Sequence, residues 1–252
     1  VDLIAIALTV VAGVAMGAIN NVAGGAGVLG LLAFEHLFQL PLEAANASTR
    51  IAAIAVGTFS CLGFVRAGRK IPKRAYGHAL MALPGALIGA ELALNLPPLV
   101  FRAYLMVVML MLLRQQLRPI RPNTVPSPWW LQALGCACIG LHMGYVQVGT
   151  GLVATLMLAK AYDSDLVAVN TAKSVVVIVA AFTSAASLTL AGAITWVPAI
   201  SLAVGCGFGG YAASKWSVRQ GSKAIRRVTL VLATLTMFEQ ARQIITLICA
   251  DA

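Results

Sequence analysis

Apolar residues gather in long blocks along this chain, and polar residues fall mostly between the blocks. The blocks lie near 3–19, 24–38, 43–65, 75–95, 99–113, 129–144, 150–162, 166–191, 194–214 and 228–248. A helix needs about 20 apolar residues to cross the hydrocarbon layer of a bilayer, so the pattern predicts a polytopic helical protein. Some blocks are too short for that crossing. The pairs 3–19/24–38 and 129–144/150–162 are each broken by glycine, at Gly24-Gly25-Ala26-Gly27 and at Gly149-Thr150-Gly151. The second members read as half-helices or re-entrant segments, so each pair is expected to form a helical hairpin with its tip inside the membrane.

The second half of the pattern repeats the first. At a constant offset of 124, Gly25 falls on Gly149, Gly27 on Gly151, Ala44 on Ala168 and Asn46 on Asn170. The register continues without a gap through Gly68 on Gly192, Gly85 on Gly209 and Arg102 on Arg226. A shared register over so many glycines and polar residues indicates duplication, with repeats at 1–124 and 125–252. Composition agrees with the membrane setting. Hydrophobic residues make up 60% and charged residues 10%, against about 25% charged in an average soluble domain. Mean hydropathy is +0.90. A soluble enzyme, a secreted disulfide scaffold and a disordered regulator are excluded. The opening apolar run leads into a glycine break that recurs later, so it reads as mature structure and not as a signal peptide.

The net charge of +10 marks orientation. Thirteen of the 18 Lys and Arg residues sit in three segments without acids. These are Arg66, Arg69, Lys70, Lys73 and Arg74; Arg114, Arg118 and Arg121; and Lys215, Arg219, Lys223, Arg226 and Arg227. Such clusters between apolar blocks fit cytoplasmic loops under the positive-inside rule, and not a basic stripe that binds nucleic acid. Loop 66–74 is basic while its counterpart near 190–198 carries no cation; loop 95–102 carries one while 219–227 carries four. Opposite bias in equivalent loops predicts halves of opposite orientation, which five segments per half produce by parity. The loop at 160–173 is neutral and fits this pattern least well. The expected fold is an all-α integral membrane protein, an inverted repeat of two five-segment halves, each opening with a broken or re-entrant helical hairpin. Both termini are expected on the non-cytoplasmic side. Inverted repeats whose broken helices meet near the midplane are the architecture of secondary transporters.

Candidate chemistry lies at the two breaks. Each precedes a new helix, whose glycines expose backbone N–H groups and whose N-terminus carries partial positive charge, an arrangement suited to an anion. Asn20, Asn21, Gly24, Gly25 and Gly27 from the first break, with Gln147, Gly149, Thr150 and Gly151 from the second, are the candidate binding residues. Tyr145 adds a polar group at the second break. The same glycines also serve tight packing. Arg50 and Lys173 are expected about 10 Å into the third helix of each half, at 1.5 Å per residue. A cation at that depth either faces a polar cavity or snorkels to headgroups. Asn46 and Asn170, matched in register, either line the site or bond across helices. Small-xxx-small pairs at Gly13/Gly17, Gly85/Gly89, Gly140/Gly144 and Gly205/Gly209 predict close helix contacts.

Other features point to no chemistry. Gly25-Ala26-Gly27-Val28-Leu29-Gly30 matches GxGxxG, but no strand precedes it. His36, His78 and His142 show no metal spacing, and His142, just before a hairpin tip, reads as packed or interfacial, with titration during transport as the alternative. The five cysteines lie in apolar blocks and read as small filler. Trp129, Trp130 and Trp196 fit interfacial belts. Pro84 and Pro198 are candidate kinks. No cofactor or metal is implied, and the scattered acids argue against an intramembrane enzyme.

The ordered motifs resemble the TauE/SafE sulfite exporter family. They are Gly17…Asn20-Asn21…Gly24-Gly25-Ala26-Gly27, then Pro41-Leu42-Glu43-Ala44…Ser48-Thr49, then Gly85…Gly89…Leu96-Pro97-Pro98…Arg102. The second half repeats them with Gly149-Thr150-Gly151, Ala168…Asn170-Thr171 and Gly205…Gly209-Gly210…Arg226. The resemblance implies a carrier of the bacterial plasma membrane that moves sulfite, sulfoacetate or other organosulfonates, usually outward. Its implied partners are that small anion and membrane lipid; a homodimer stays open. The chain departs from the family pattern at Ala26 and Thr150, which interrupt fuller glycine runs, in lacking a proline after the first run, and in having Asn46 and Asn170 where small residues are common. These departures bear on substrate, not on fold. A passive anion channel, or a carrier of carboxylate or thiosulfate, is the alternative reading.

Overall fold

The computed structural model describes residues 2–22, 25–95, 97, 99–101, 103, 104, 106, 107, 110, 127–159, 161, 162 and 165–250. Beyond residue 219 it describes side chains only at Val231, Thr234, Phe238 and Arg242. Gly24, the basic residues Arg102, Arg114, Arg118, Arg121 and Lys160, most of the expected helix at 99–113, and the side chains of Lys223, Arg226, Arg227 and Cys249 lie outside the described residues.

Among the described residues all regular structure is helical. The helices are α1 (Leu3–Val22), α2 (Gly27–Leu37), α3 (Leu42–Arg66), α4 (Arg74–Ala93), α5 (Trp129–Tyr145), α6 (Thr150–Ala159), α7 (Leu166–Leu190) and α8 (Trp196–Ala250). Among the described residues, four stretches are long and apolar enough to cross a membrane: Leu3–Val22, Leu42–Arg66, Leu166–Leu190 and Trp196–Arg219. The second hairpin members, α2 with 11 residues and α6 with 10, are short, as the glycine breaks predict.

Helix ends recur at the sequence offset. α3 and α7 are both 25 residues long and stand 124 apart, Leu42 against Leu166 and Arg66 against Leu190. Each ends the same way. Gly68 (φ 83°) and Gly192 (φ 69°) adopt the left-handed conformation just past the last turn, where only glycine escapes a Cβ clash. The N–H of the residue after the glycine then bonds back, Arg69 to Phe64 O and Ala193 to Leu188 O.

One element differs from expectation. The blocks 194–214 and 228–248 are not separate helices but parts of one helix, α8, running 55 residues. The first half has Pro97-Pro98 at the equivalent point, which lacks two N–H donors and restricts the preceding residue, and α4 stops at Ala93. The second half has Gly221-Ser222 there. Its cations end the apolar run without interrupting backbone hydrogen bonding.

Helices pair across the halves. α1 packs along α8, and α4 packs along α5. The expected glycine contacts form both seams. Gly13 and Gly17 lie against the α8 backbone at Leu202 and Cys206, and Gly205 and Gly209 against α1 at Val10 and Val14. Gly85 and Gly89 face Ala137 and Leu141 of α5, while Gly140 and Gly144 face Ala82 and Ala86 of α4. α3 and α7 lie between these pairs and run antiparallel. Ala47, near the start of α3, clusters with Ala185 and Leu188 near the end of α7, and the Thr195 N–H donates to Ser48 Oγ at 2.9 Å. Pro84 sits within α4 without ending it. Pro198 falls in the first turn of α8, where a missing N–H has no partner to lose.

Candidate functional site

The two breaks meet in the interior. A methyl group on Gly27, at the start of α2, would lie 2.9 Å from Val148 Cα and 3.3 Å from Gln147 Oε1. Local bonds shape each break. Asn20 Oδ1 accepts from the Ala26 N–H at 3.0 Å, tying the end of α1 to the start of α2. Gly149, with φ 84°, turns the chain from α5 into α6. Thr150 then donates its hydroxyl to Gln147 O at 2.8 Å. His142 of α5 braces the second break, with Nε2 2.9 Å from Val148 O and Nδ1 2.8 Å from Tyr104 Oη. It is a packed histidine with a partner on each nitrogen.

Beside this meeting point lies a cavity with about 410 Å³ of empty space, its mouth included. Asn20, Asn21, Gln147, Thr150, Gly151 and Lys173 all line it. The cavity therefore gathers one helix end (α1), one break, one helix start (α6) and one cation. Met143, Val177, Val56 and Ala53 supply apolar wall. Three lining residues were absent from the sequence expectation: Ser60 and Gly57 of α3, and Ser174 of α7. Ser174 had a signal, since it adjoins Lys173 and falls on Arg50 at the repeat offset. Ser60 had none. A lone serine in an apolar helix usually bonds back to its own backbone, whereas the Ser60 hydroxyl is buried without a partner.

The remaining candidates stand elsewhere. Asn46 and Arg50 form a densely bonded knot at the end of α5, in which Arg50 Nε alone lacks a partner. Arg50 is fully buried. Its Nη1 donates to Asn46 O at 2.6 Å, to Asn46 Oδ1 at 3.1 Å and to Thr49 Oγ1 at 3.2 Å. Its Nη2 donates to Gly144 O at 2.9 Å and Tyr145 O at 3.2 Å. Asn46 Nδ2 also donates to Tyr145 O, at 3.0 Å. These carbonyls belong to the last turn of α5, which has no intrahelical donor left and carries partial negative charge. Arg50 thus supplies both the hydrogen bonds and the countercharge. Gly25 and Gly149 are buried at the breaks without lining the cavity.

Lys173 makes the matching contact in the other copy with far fewer bonds. It is 3% exposed, and its Nζ donates to Asn21 O at the end of α1, at 3.0 Å. Asn21 stands 124 residues before Tyr145, and Asn170 stands 124 after Asn46. The amides of Asn21 and Asn170 are nevertheless buried with neither the nitrogen nor the oxygen bonded, and Gln147 Oε1 is unpaired too. Buried polar atoms left without partners are uncommon and call for a reason. One knot is bonded by protein at all but Arg50 Nε; its counterpart is open, and its Lys173 and Asn21 line the cavity.

A family model described as Sulfite exporter TauE/SafE matches residues 9–239. The chain belongs to this family. No curated protein and no solved structure matches it. Membership makes the chain a multi-pass membrane protein of a transporter family for sulfite and related sulfur anions. The cavity is rich in hydrogen-bond donors. Its ammonium group has two further N–H donors beyond the one given to Asn21 O, and the Asn21 amide and Ser60 hydroxyl are uncommitted donors beside it.

Proposed function

We propose that the chain exports small sulfur oxyanions, sulfite or an organosulfonate, across the bacterial plasma membrane as an alternating-access carrier. Two inverted halves, 1–124 and 125–252, form it, with both termini on the non-cytoplasmic side. The observation that carries this reading is Lys173, a buried cation with a single protein acceptor, lining a cavity beside the unbonded Asn21 amide. In a low-dielectric interior such a group is held at high cost unless an anion or polar partner joins it. The anion would sit against Lys173, Asn21 and Ser60, with the start of α6 at Thr150 and Gly151 contributing its positive end. Arg50 would hold the α5 end that positions this hairpin and would not touch cargo.

Inversion is supported by the antiparallel α3 and α7. It is supported also by basic residues from non-equivalent places converging at one end, Arg66 of α3 with Lys215 and Arg219 of α8.

The test is transport of radiolabelled sulfite and sulfoacetate in proteoliposomes, with Lys173→Ala and Arg50→Ala beside the parent. The parent should accumulate anion against its gradient when a second anion runs down its own. Lys173→Ala should lose transport. Normal transport by Lys173→Ala would sink the site, and movement only down the gradient would make the protein a channel.

A further inference from the structure

The basic residues at the end of α3 and along α8 do more than mark a side of the membrane. Arg66, Lys215 and Arg219 line one groove, together with Ala67 and Val218, enclosing about 580 Å³ of empty space with its open side. Tyr211 holds two of the cations in place. Arg66 Nη1 donates to Tyr211 Oη at 3.3 Å, and Lys215 Nζ stands 4.6 Å from the centre of the Tyr211 ring. Among the described residues no carboxylate pairs with any of the three. Three cations, two of them held by one tyrosine and none paired with an acid, form a site for a multivalent oxyanion.

The surroundings identify the bearer of that oxyanion. Both helices that build the groove reach the end of their apolar span there, at Arg66 and at Arg219. Exposed apolar side chains lead down each helix to those cations. On α8 they are Ile200, Val204, Phe208 and Trp216, at four-residue steps but for one. On α3 they are Phe59, Leu62 and Val65. The two stripes adjoin, because Phe59 packs over Gly207 of α8. An apolar track that ends in a cationic groove matches an acyl chain that ends in a phosphate.

We infer that this groove binds the headgroup phosphate of an anionic phospholipid, with the acyl chains lying on the α3–α8 seam. A free anion of the aqueous phase would gain nothing from the apolar track. The lipid would clamp α3 to α8 six residues from Ser60 of the cavity, so occupancy would bear on the helix that forms one cavity wall.

The test uses the full chain in detergent, with bound lipid counted by native mass spectrometry against phosphatidylglycerol, phosphatidylcholine and inorganic phosphate. Phosphatidylglycerol should bind at low stoichiometry and phosphatidylcholine at least tenfold more weakly, with millimolar phosphate failing to displace it. Each cation near an anionic headgroup contributes ~1 kcal/mol, or about fivefold in affinity. The triple variant Arg66→Gln, Lys215→Gln, Arg219→Gln should therefore lose on the order of 100-fold. Arg219→Gln alone, at an exposed position, should lose about fivefold and guards against misfolding of the triple variant. The control removes three exposed charges outside the groove, Arg69→Gln, Lys70→Gln and Lys73→Gln, and should leave binding unchanged. Equal binding of the two lipids, displacement by inorganic phosphate, or equal loss in the control would each overturn the inference.

Discussion

Arg50 and Lys173 carry the same charge to the ends of opposite helices, but their bonding gives them different consequences when removed. Arg50→Ala would strand the Gly144 carbonyl, leave Tyr145 O with Asn46 Nδ2 alone, and leave Asn46 Oδ1 unbonded. Buried acceptors left unpaired cost about 1–3 kcal/mol each. The variant should unfold several degrees below the parent in a thermal scan, yet sulfite should still raise the melting temperature of its folded fraction. Lys173→Gln gives the opposite pattern. It deletes one bond and the cavity's charge, so the unliganded protein should melt within a few degrees of the parent. Its stabilisation by sulfite, ~2.7 kcal/mol at a hundredfold excess over the dissociation constant, should vanish. A retained sulfite shift in Lys173→Gln would remove this residue from the site. Both cations were visible in the sequence as charges in apolar blocks. Their partners were not, because backbone carbonyls of the opposite half leave no trace in residue type. Glycine and asparagine at the breaks were visible for the converse reason: each is unusual in an apolar helix, and Asn20, Asn21, Gly149 and Thr150 took up the places that oddity suggested.

At the scale of an element, α4 offers an internal comparison. Gly77 has nothing within 4 Å of where a Cβ would stand, while at Gly85 that atom would meet the backbone at Ala137 and Leu141. Gly77→Ala should be neutral or stabilise by up to about 1 kcal/mol, as alanine favours helix over glycine. Gly85→Ala must push α4 away from α5 and should destabilise by about 1–3 kcal/mol. Thermal unfolding of the two variants side by side reads the difference; equal melting temperatures would refute the seam. The small-xxx-small spacing announced that such contacts exist without saying between which helices. The ends of α3 and α7 were legible to within a residue, since Gly68 and Gly192 stop them by conformation. The continuation of α8 was not legible, because charge ends an apolar block but does not by itself end a helix. Pro97-Pro98 against Gly221-Ser222 was the deciding difference.

Across the whole molecule, the closest helix seams among the described residues join one half to the other. α1 depends on α8 and α4 on α5, so 1–124 and 125–252 expressed apart should each aggregate or be degraded. Expressed together, they should reassemble and be recovered as a pair on one affinity tag. Orientation has its own reading. Single cysteines placed at Arg69 and at Ala191, both exposed past the ends of α3 and α7, should react with an impermeant maleimide from opposite sides of the membrane. Labelling from one side would refute the inversion. Charge patterning in the sequence predicts this layout, since a field that sorts loops acts on composition. The cross-pairing of helices was not anticipated, because any two apolar surfaces are equivalent until shape is known.

The glycine seams bear on how such a molecule can move. Along α1–α8 and α4–α5 the contact is main chain on main chain, with no bulky side chain able to swing aside. A slip of either partner by one position would drive a side chain into the opposing backbone. On the alternating-access reading each couple would travel as one strut, made from one helix of each half, with the play at the α3–α7 crossing, where Gly57 alone meets backbone at Ser174 and Ile178. A disulfide engineered across α1 and α8 should leave transport running, and one that fastens α3 to α7 should arrest it.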